Sequence, residues 1–117
     1  MLVFVYGTLM SGQYNNPWLE DCTLLGDFTT PPCYTMVNLG AFPAVLLGGD
    51  TAITGEVWEA PDDILNSLDV LEGYPLLYNR TLINTTHGYA WMYYNPREEL
   101  NNDPIITNGK WREPCYQ

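Results

Sequence analysis

The 117 residues carry four Lys or Arg against fourteen Asp or Glu, a formal charge of −10 at pH 7. That balance argues against a nucleic-acid partner, whose affinity comes from neutralised phosphates, and 46% hydrophobic residues argue against a disordered chain. The length suits one domain over residues 1–117, with a core that needs no disulfide or metal staple.

In chain order, the first element is an apolar run, Val3-Phe4-Val5-Tyr6, too short for a membrane span and broken by Gly7-Thr8, with Ser11-Gly12 following. It reads as a buried strand over Leu2 to Tyr6 opening into a glycine-bearing loop. In such a loop Gly7 permits a tight turn, and the amides of Thr8, Leu9 and the residues after them can converge on an anion. A plain strand end with a turn fits the same residues, and neither phosphate-loop nor dinucleotide-loop glycine patterns occur. Asn16-Pro17 caps a short helix holding Trp18 and Leu19. Strands follow at Leu24 to Thr29, Tyr34 to Asn38, Ala44 to Leu47 and Ile53 to Glu59. Glu56 and Glu59 read as an outward strand face.

The helix from Pro61 to Leu71 repeats Ile64, Leu65, Leu68 and Leu71 at helical spacing, with Gly73 placed to end it and Pro75 to forbid continuation. Glu72 therefore stands at the last turn, facing the negative end of the helix dipole, which costs an exposed carboxylate about 0.3–1 kcal/mol. Burial against Tyr74, Tyr78 and nearby leucines would add to that field and raise its pKa, making it a proton carrier. The plainer reading is a solvated acid paired with Arg80, an interaction of little energetic weight. Two strands, Tyr78 to Asn84 and Tyr89 to Tyr94, flank a hairpin tip at Thr85-Thr86-His87-Gly88. The tail from Pro96 to Gln117 is irregular and is expected to wrap over the body through Ile105, Ile106 and Trp111.

Ten acids and no Lys or Arg occupy the first 79 residues; Arg80, Arg97, Lys110 and Arg112 all come later. An acidic field repels a strongly anionic ligand, so a bound carboxylate must rely on local donors: loop amides, hydroxyls or Arg80. Cys22, Cys33 and Cys115 have no metal-ligand spacing and are an odd number, so reduced, non-catalytic thiols are expected. His87 is the single histidine, which disfavours a histidine metal cluster or a His-dependent triad. With no basic leader, long apolar run or lipidation signal, the expectation is a soluble, cytoplasmic protein without membrane association.

Tyr6-Gly7-Thr8-Leu9 near the start and Leu68-Asp69-Val70-Leu71-Glu72-Gly73-Tyr74 downstream resemble the gamma-glutamyl cyclotransferase family, including its gamma-glutamylamine branch. Phe42-Pro43-Ala44, Gly55-Glu56-Val57-Trp58, Tyr78-Asn79-Arg80 and Trp91-Met92-Tyr93-Tyr94 extend the resemblance over most of the chain. Relatives commonly carry Lys or Arg just after the first block, where this chain has Met10 and Ser11. The resemblance implies an α+β fold, a compact mixed β-barrel-like sheet with one or two flanking helices, which also suits the element order.

It further implies an enzyme that closes a gamma-glutamyl group on its own alpha-amine, releasing 5-oxoproline and a free amine, without cofactor or metal. Glu72 is the expected acid-base residue, and Gly7, Thr8 and Leu9 the expected anion-holding loop. Tyr6 is read equally as core aromatic or pocket wall; Tyr78 as a substrate hydrogen-bond donor or a buried strand residue; Arg80 as a carboxylate ligand or a neutraliser of nearby acids. Asp69, one turn before Glu72, is a second acid or part of a solvated helix face. The partner expected is a small gamma-glutamyl molecule, with a homodimer the one protein assembly considered. Rival readings are a non-catalytic binding module of the same fold, and a carbohydrate- or peptide-binding surface made of the four tryptophans and nine tyrosines.

Overall fold

A computed structural model describes residues 1–97 and 102–111. Arg112 and Cys115 lie outside the described residues. Seven strands form, β1 Leu2–Val5, β2 Thr23–Thr29, β3 Tyr34–Asn38, β4 Pro43–Leu47, β5 Thr54–Glu59, β6 Asn79–Thr85 and β7 Gly88–Tyr94, with a 3₁₀ turn at Asn16–Leu19 and helix α1 at Asp62–Glu72. Five strands make one mixed sheet in the order β2-β5-β1-β7-β6, and β3 pairs with β4 in a second.

The all-apolar stretch at the N-terminus explains the centre of this arrangement. β1 lies between β5, which it meets antiparallel, and β7, which it meets parallel. A strand enclosed on both faces must be apolar at every position rather than alternate positions. Val3 and Val5 accordingly enter one core cluster with Leu19, Val37, Trp58 and Leu68, while Phe4 and Tyr6 enter the other with Met36, Val57, Met92 and Trp111. The β1–β5 contact is close enough that a Cβ on Gly55 would stand 2.2 Å from the Val5 carbonyl oxygen, so only glycine fits there.

The smaller sheet is tied to the larger through β4 and β7, where the Asn95 N–H donates to the Val45 oxygen at 2.8 Å. The segment after residue 102 closes over β3: Asn38 N–H donates to Pro104 O, Ile106 N–H to Met36 O, and Trp111 is buried. Ile105 differs from expectation. It bridges Val37 through its backbone and leaves its side chain half exposed.

Helix α1 buries Leu65 and Leu68, with Ile64 and Leu71 packed at the edge of the same cluster. It ends at Gly73 in the left-handed conformation, φ 66°, the backbone state that glycine adopts most cheaply. No basic residue stands in its last turn, so the C-terminal dipole is left uncompensated at Glu72. Because Leu68 is fully buried between this helix and the sheet, Leu68→Ala should lower stability by about 3 kcal/mol through lost burial and a residual cavity. Urea unfolding followed by tryptophan fluorescence checks this.

Candidate active site

The exit of β1 and the end of α1 meet at a cavity of about 220 Å³, lined by residues of both segments: Tyr6, Gly7, Thr8 and Leu9 from the first, Leu71 and Glu72 from the second. Asn15, Phe42, Pro43, Leu77, Tyr78 and Tyr93 complete the inner wall with Val5. Of the seven site residues expected from sequence, six are thus brought together, and Arg80 is not.

The loop after β1 is held open by side chains rather than by sheet pairing. Asn15 donates through its side-chain amide to Thr8 Oγ1 at 2.9 Å and through its backbone N–H to Thr8 O at 2.8 Å; Asn16 donates to Leu9 O at 2.9 Å. Further along, Ser11 N–H donates to Glu56 Oε1 at 2.7 Å. Glu56 is therefore a loop clamp, not merely part of an outward strand face. Every bond to Thr8 and Leu9 uses an oxygen, so among the described residues their amides, and that of Gly7, meet no protein acceptor. Gly7 also lies against Pro43, whose ring atoms would stand 2.9 Å from an added Cβ. Glycine here lets the loop approach the opposite wall.

Tyr6 resolves as both alternatives at once: it belongs to the core and lines the cavity, and its hydroxyl donates to Tyr93 O at 2.7 Å. Tyr78 is likewise buried and cavity-facing, donating to Pro43 O at 3.2 Å. Burial pushes both phenols well above their ordinary pKa; for Tyr78 the nearby Glu72 carboxylate is the next cause, and for Tyr6 it follows Tyr78 itself. Both are neutral hydroxyls at physiological pH.

Glu72 is the ionisable acid of the cavity wall. Desolvation by burial raises its pKa from 4.5 to about 7. Among the described residues no partner cation or hydrogen bond counteracts the shift, which leaves the group poised between its two protonation states near neutrality.

Arg80 is committed elsewhere. Its guanidinium is paired to both carboxylate oxygens of Asp69 and is sandwiched between the rings of Tyr74 and Trp91, 4.6 and 4.7 Å from their centroids. Tyr93 donates its hydroxyl to the same Asp69 at 2.5 Å. Two expectations are corrected by this cluster. Arg80 does not line the cavity, and Asp69 is not a solvated helix face but the acceptor for both Arg80 and Tyr93. Tyr74, expected to bury Glu72, stacks on Arg80 instead. The arrangement also explains why Glu72 is free of Arg80: Asp69, one helical turn earlier, holds the guanidinium through Nη1 with both of its carboxylate oxygens.

Met10 packs its side chain against both core clusters, and neither it nor Ser11 lines the cavity. Among the described residues no three His, Cys, Asp or Glu gather as metal ligands, Cys22 and Cys33 are free thiols, and no helix is long and apolar enough to cross a membrane. His87 sits at its hairpin tip, with Nε2 3.4 Å from Asp27 O.

Comparison with known proteins gives this geometry a family. Residues 3–113 match the model for gamma-glutamyl cyclotransferase, AIG2-like proteins. The chain belongs to that family. A provisionally named gamma-glutamylcyclotransferase of Vibrio cholerae is 41% identical over 111 residues, covering 94% of each chain. The YtfP protein of Escherichia coli, named as a member of the gamma-glutamylcyclotransferase family, is 37% identical over 95% of this chain and 96% of its own. Its solution structure superposes with a TM-score of 0.78 over 95% of this chain and 96% of that one, at 36% identity. The crystal structure of a mouse AIG2-like protein shares the fold at a TM-score of 0.79, with 23% identity over 95% of this chain and 87% of that one. These likenesses agree with the α+β class expected from sequence, here a curled mixed sheet with a single α-helix.

Sequence reasoning had no signal for Leu77 or Tyr93 as cavity residues. Leu77 arrives there because the turn after α1 folds back, its N–H donating to Gly73 O at 2.9 Å; Tyr93 arrives through the parallel β1–β7 pairing. The Asp69–Arg80 pair is only about one-sixth exposed on each side chain, so Arg80→Met should cost about 2 kcal/mol by leaving Asp69 without its cation. Chemical denaturation of that variant beside Arg80→Met/Asp69→Asn checks it: the double variant should recover part of the loss.

Proposed function

We propose that this protein is a gamma-glutamyl cyclotransferase that converts a gamma-glutamyl amide into 5-oxoproline and a free amine, with Glu72 carrying the protons. The single observation behind the reading is a carboxyl with a pKa near 7 in the same cavity as three acceptor-free loop amides. Family membership supports the reaction class.

The substrate contains its own nucleophile. The alpha-nitrogen attacks the gamma-carbonyl carbon, a new C–N bond closes the five-membered lactam, and the original gamma C–N bond breaks. At neutral pH the alpha-nitrogen is an ammonium, so ionised Glu72 must first accept a proton from it; the protonated carboxyl then delivers a proton to the departing nitrogen. Over the whole reaction two protons move from the alpha-nitrogen to the amine, which leaves as an ammonium. A single carboxyl serves both directions because its pKa is close to the working pH.

The amides of Gly7, Thr8 and Leu9 are placed to hold the alpha-carboxylate or the oxyanion that develops on the gamma-carbonyl oxygen, where one donor is worth about 3 kcal/mol. Tyr6 and Tyr78 remain neutral and supply a low-polarity wall. Binding the glutamyl chain in a folded shape supplies much of the rate, since ring closure is unimolecular. Arg80 acts through Asp69 to fix the last turn of α1 and the ring of Tyr93, and takes no part in substrate contact.

The experiment is Glu72→Gln with 5-oxoproline release as the readout. Turnover should be abolished, and in the wild type kcat/KM should rise with pH through about 7 as the carboxyl ionises. Normal turnover by the variant would contradict the assignment. Stability carries the opposite sign. The folded-state pKa lies above the unfolded value, so the folded protein binds the extra proton between about 4.5 and 7 and loses stability as pH rises across that window. Glu72→Gln removes the ionisation, so its melting temperature should match the wild type near pH 4.5 and exceed it at pH 8. An equal difference at both pH values would contradict the burial argument.

A further inference from the structure

We propose that the departing amine of the substrate carries an uncharged, apolar tail, held at the cavity mouth between Phe42 and Leu77. This rests on the cyclotransferase reading and extends it to the part of the substrate that Glu72 and the loop amides do not touch.

The cavity is divided by chemistry. The loop amides and the Glu72 carboxyl are the polar groups a glutamyl head requires. The apolar part of the wall is Val5, Phe42, Pro43, Leu71 and Leu77, while Thr8, Asn15, Tyr6, Tyr78 and Tyr93 add hydroxyl and amide groups, of which Asn15 is bonded to Thr8, Tyr6 to Tyr93, Tyr78 to Pro43 and Tyr93 to Asp69. Two of these are large apolar side chains turned to solvent, Phe42 at 44% and Leu77 at 69% exposure. They are fixed on the two rims of the site by the contacts that shape it. Leu77 seats on Gly73, directly after Glu72, where an added Cβ would meet its side chain at 2.9 Å; Phe42 precedes Pro43, which seats on Gly7. A group leaving from the gamma-carbonyl, beside Glu72, therefore passes over leucine and phenylalanine.

Charged alternatives find no complement there. The lining holds no Lys or Arg; Arg97 acts on the Tyr78 wall from a distance but is paired with Asp103, as Arg80 is with Asp69, and the chain as a whole is acidic, so an anionic tail meets an unfavourable field with no unpaired cation in the lining. A cationic tail would lose hydration against Phe42 and Leu77, with Glu72 occupied by the reacting nitrogens. An apolar tail instead covers side chains that are otherwise exposed to water.

Three substrates of similar length separate these outcomes: gamma-glutamyl-isopentylamide, gamma-glutamyl-4-aminobutyrate with an anionic tail, and mono-gamma-glutamyl-1,4-diaminobutane with a cationic one. The wild-type kcat/KM for the isopentylamide should exceed both others by about tenfold or more, and Leu77→Ser or Phe42→Ser should shrink that ratio severalfold. Equal or better turnover of either charged substrate overturns the inference, as does a ratio that moves in neither variant; in both cases 5-oxoproline is still made and the cyclotransferase reading stands. Absence of 5-oxoproline from all three, with the protein folded, defeats that reading and this inference together.

Discussion

Withdrawal of one carboxyl from water is the constraint on which the rest of the site depends. Glu72 occupies the final residue of α1, where the helix dipole disfavours a negative charge and where no cation stands in the last turn. A side chain chosen for stability at that address would be basic or apolar. The fold instead packs the helix end against the exit of the central strand, so the acid is partly buried in the cavity that Leu71, Leu77, Tyr6 and Tyr78 also line, and its proton affinity rises. The same packing builds the cavity, because the other wall is the Gly7–Leu9 loop.

The Asp69–Arg80 cluster protects this arrangement. A free guanidinium near the helix end would pair with Glu72 and pull its pKa back down. Asp69 prevents that by pairing both of its carboxylate oxygens with Nη1 of Arg80, while the rings of Tyr74 and Trp91 stack on the guanidinium. Tyr93 connects the cluster to the cavity, with its hydroxyl on Asp69 and its backbone oxygen on Tyr6. Two acids one helical turn apart thus have different environments: Asp69 is bonded to a guanidinium and a phenol, whereas Glu72 has no bonded partner among the described residues.

Local features of the sequence announced most of the elements. The strands agree with their expected bounds to within about a residue, with Gly or Pro close to several of their ends, and α1 stops at Glu72 because Gly73 adopts φ 66°. The uninterrupted apolar run at the start indicated a buried strand, and β1 is the middle strand of five. Strand order, the division into two sheets and the parallel β1–β7 contact depend on pairings between residues some ninety positions apart, for which spacing along the chain carries no signal. The site divides in the same way. Glu72, Gly7 and Thr8 were legible from helix-end and loop chemistry, whereas the commitment of Arg80 to Asp69 and the entry of Leu77 and Tyr93 into the wall arise from tertiary packing.

NMR titration of the Glu72 side-chain carboxyl carbon, in protein labelled with ¹³C-glutamate and with Glu72→Gln for assignment, reads whether burial keeps this acid half-protonated near neutrality. The expected midpoint is close to pH 7. A midpoint at the ordinary value near 4.5 would mean that water reaches the acid freely and that Glu72 is an ordinary surface carboxylate.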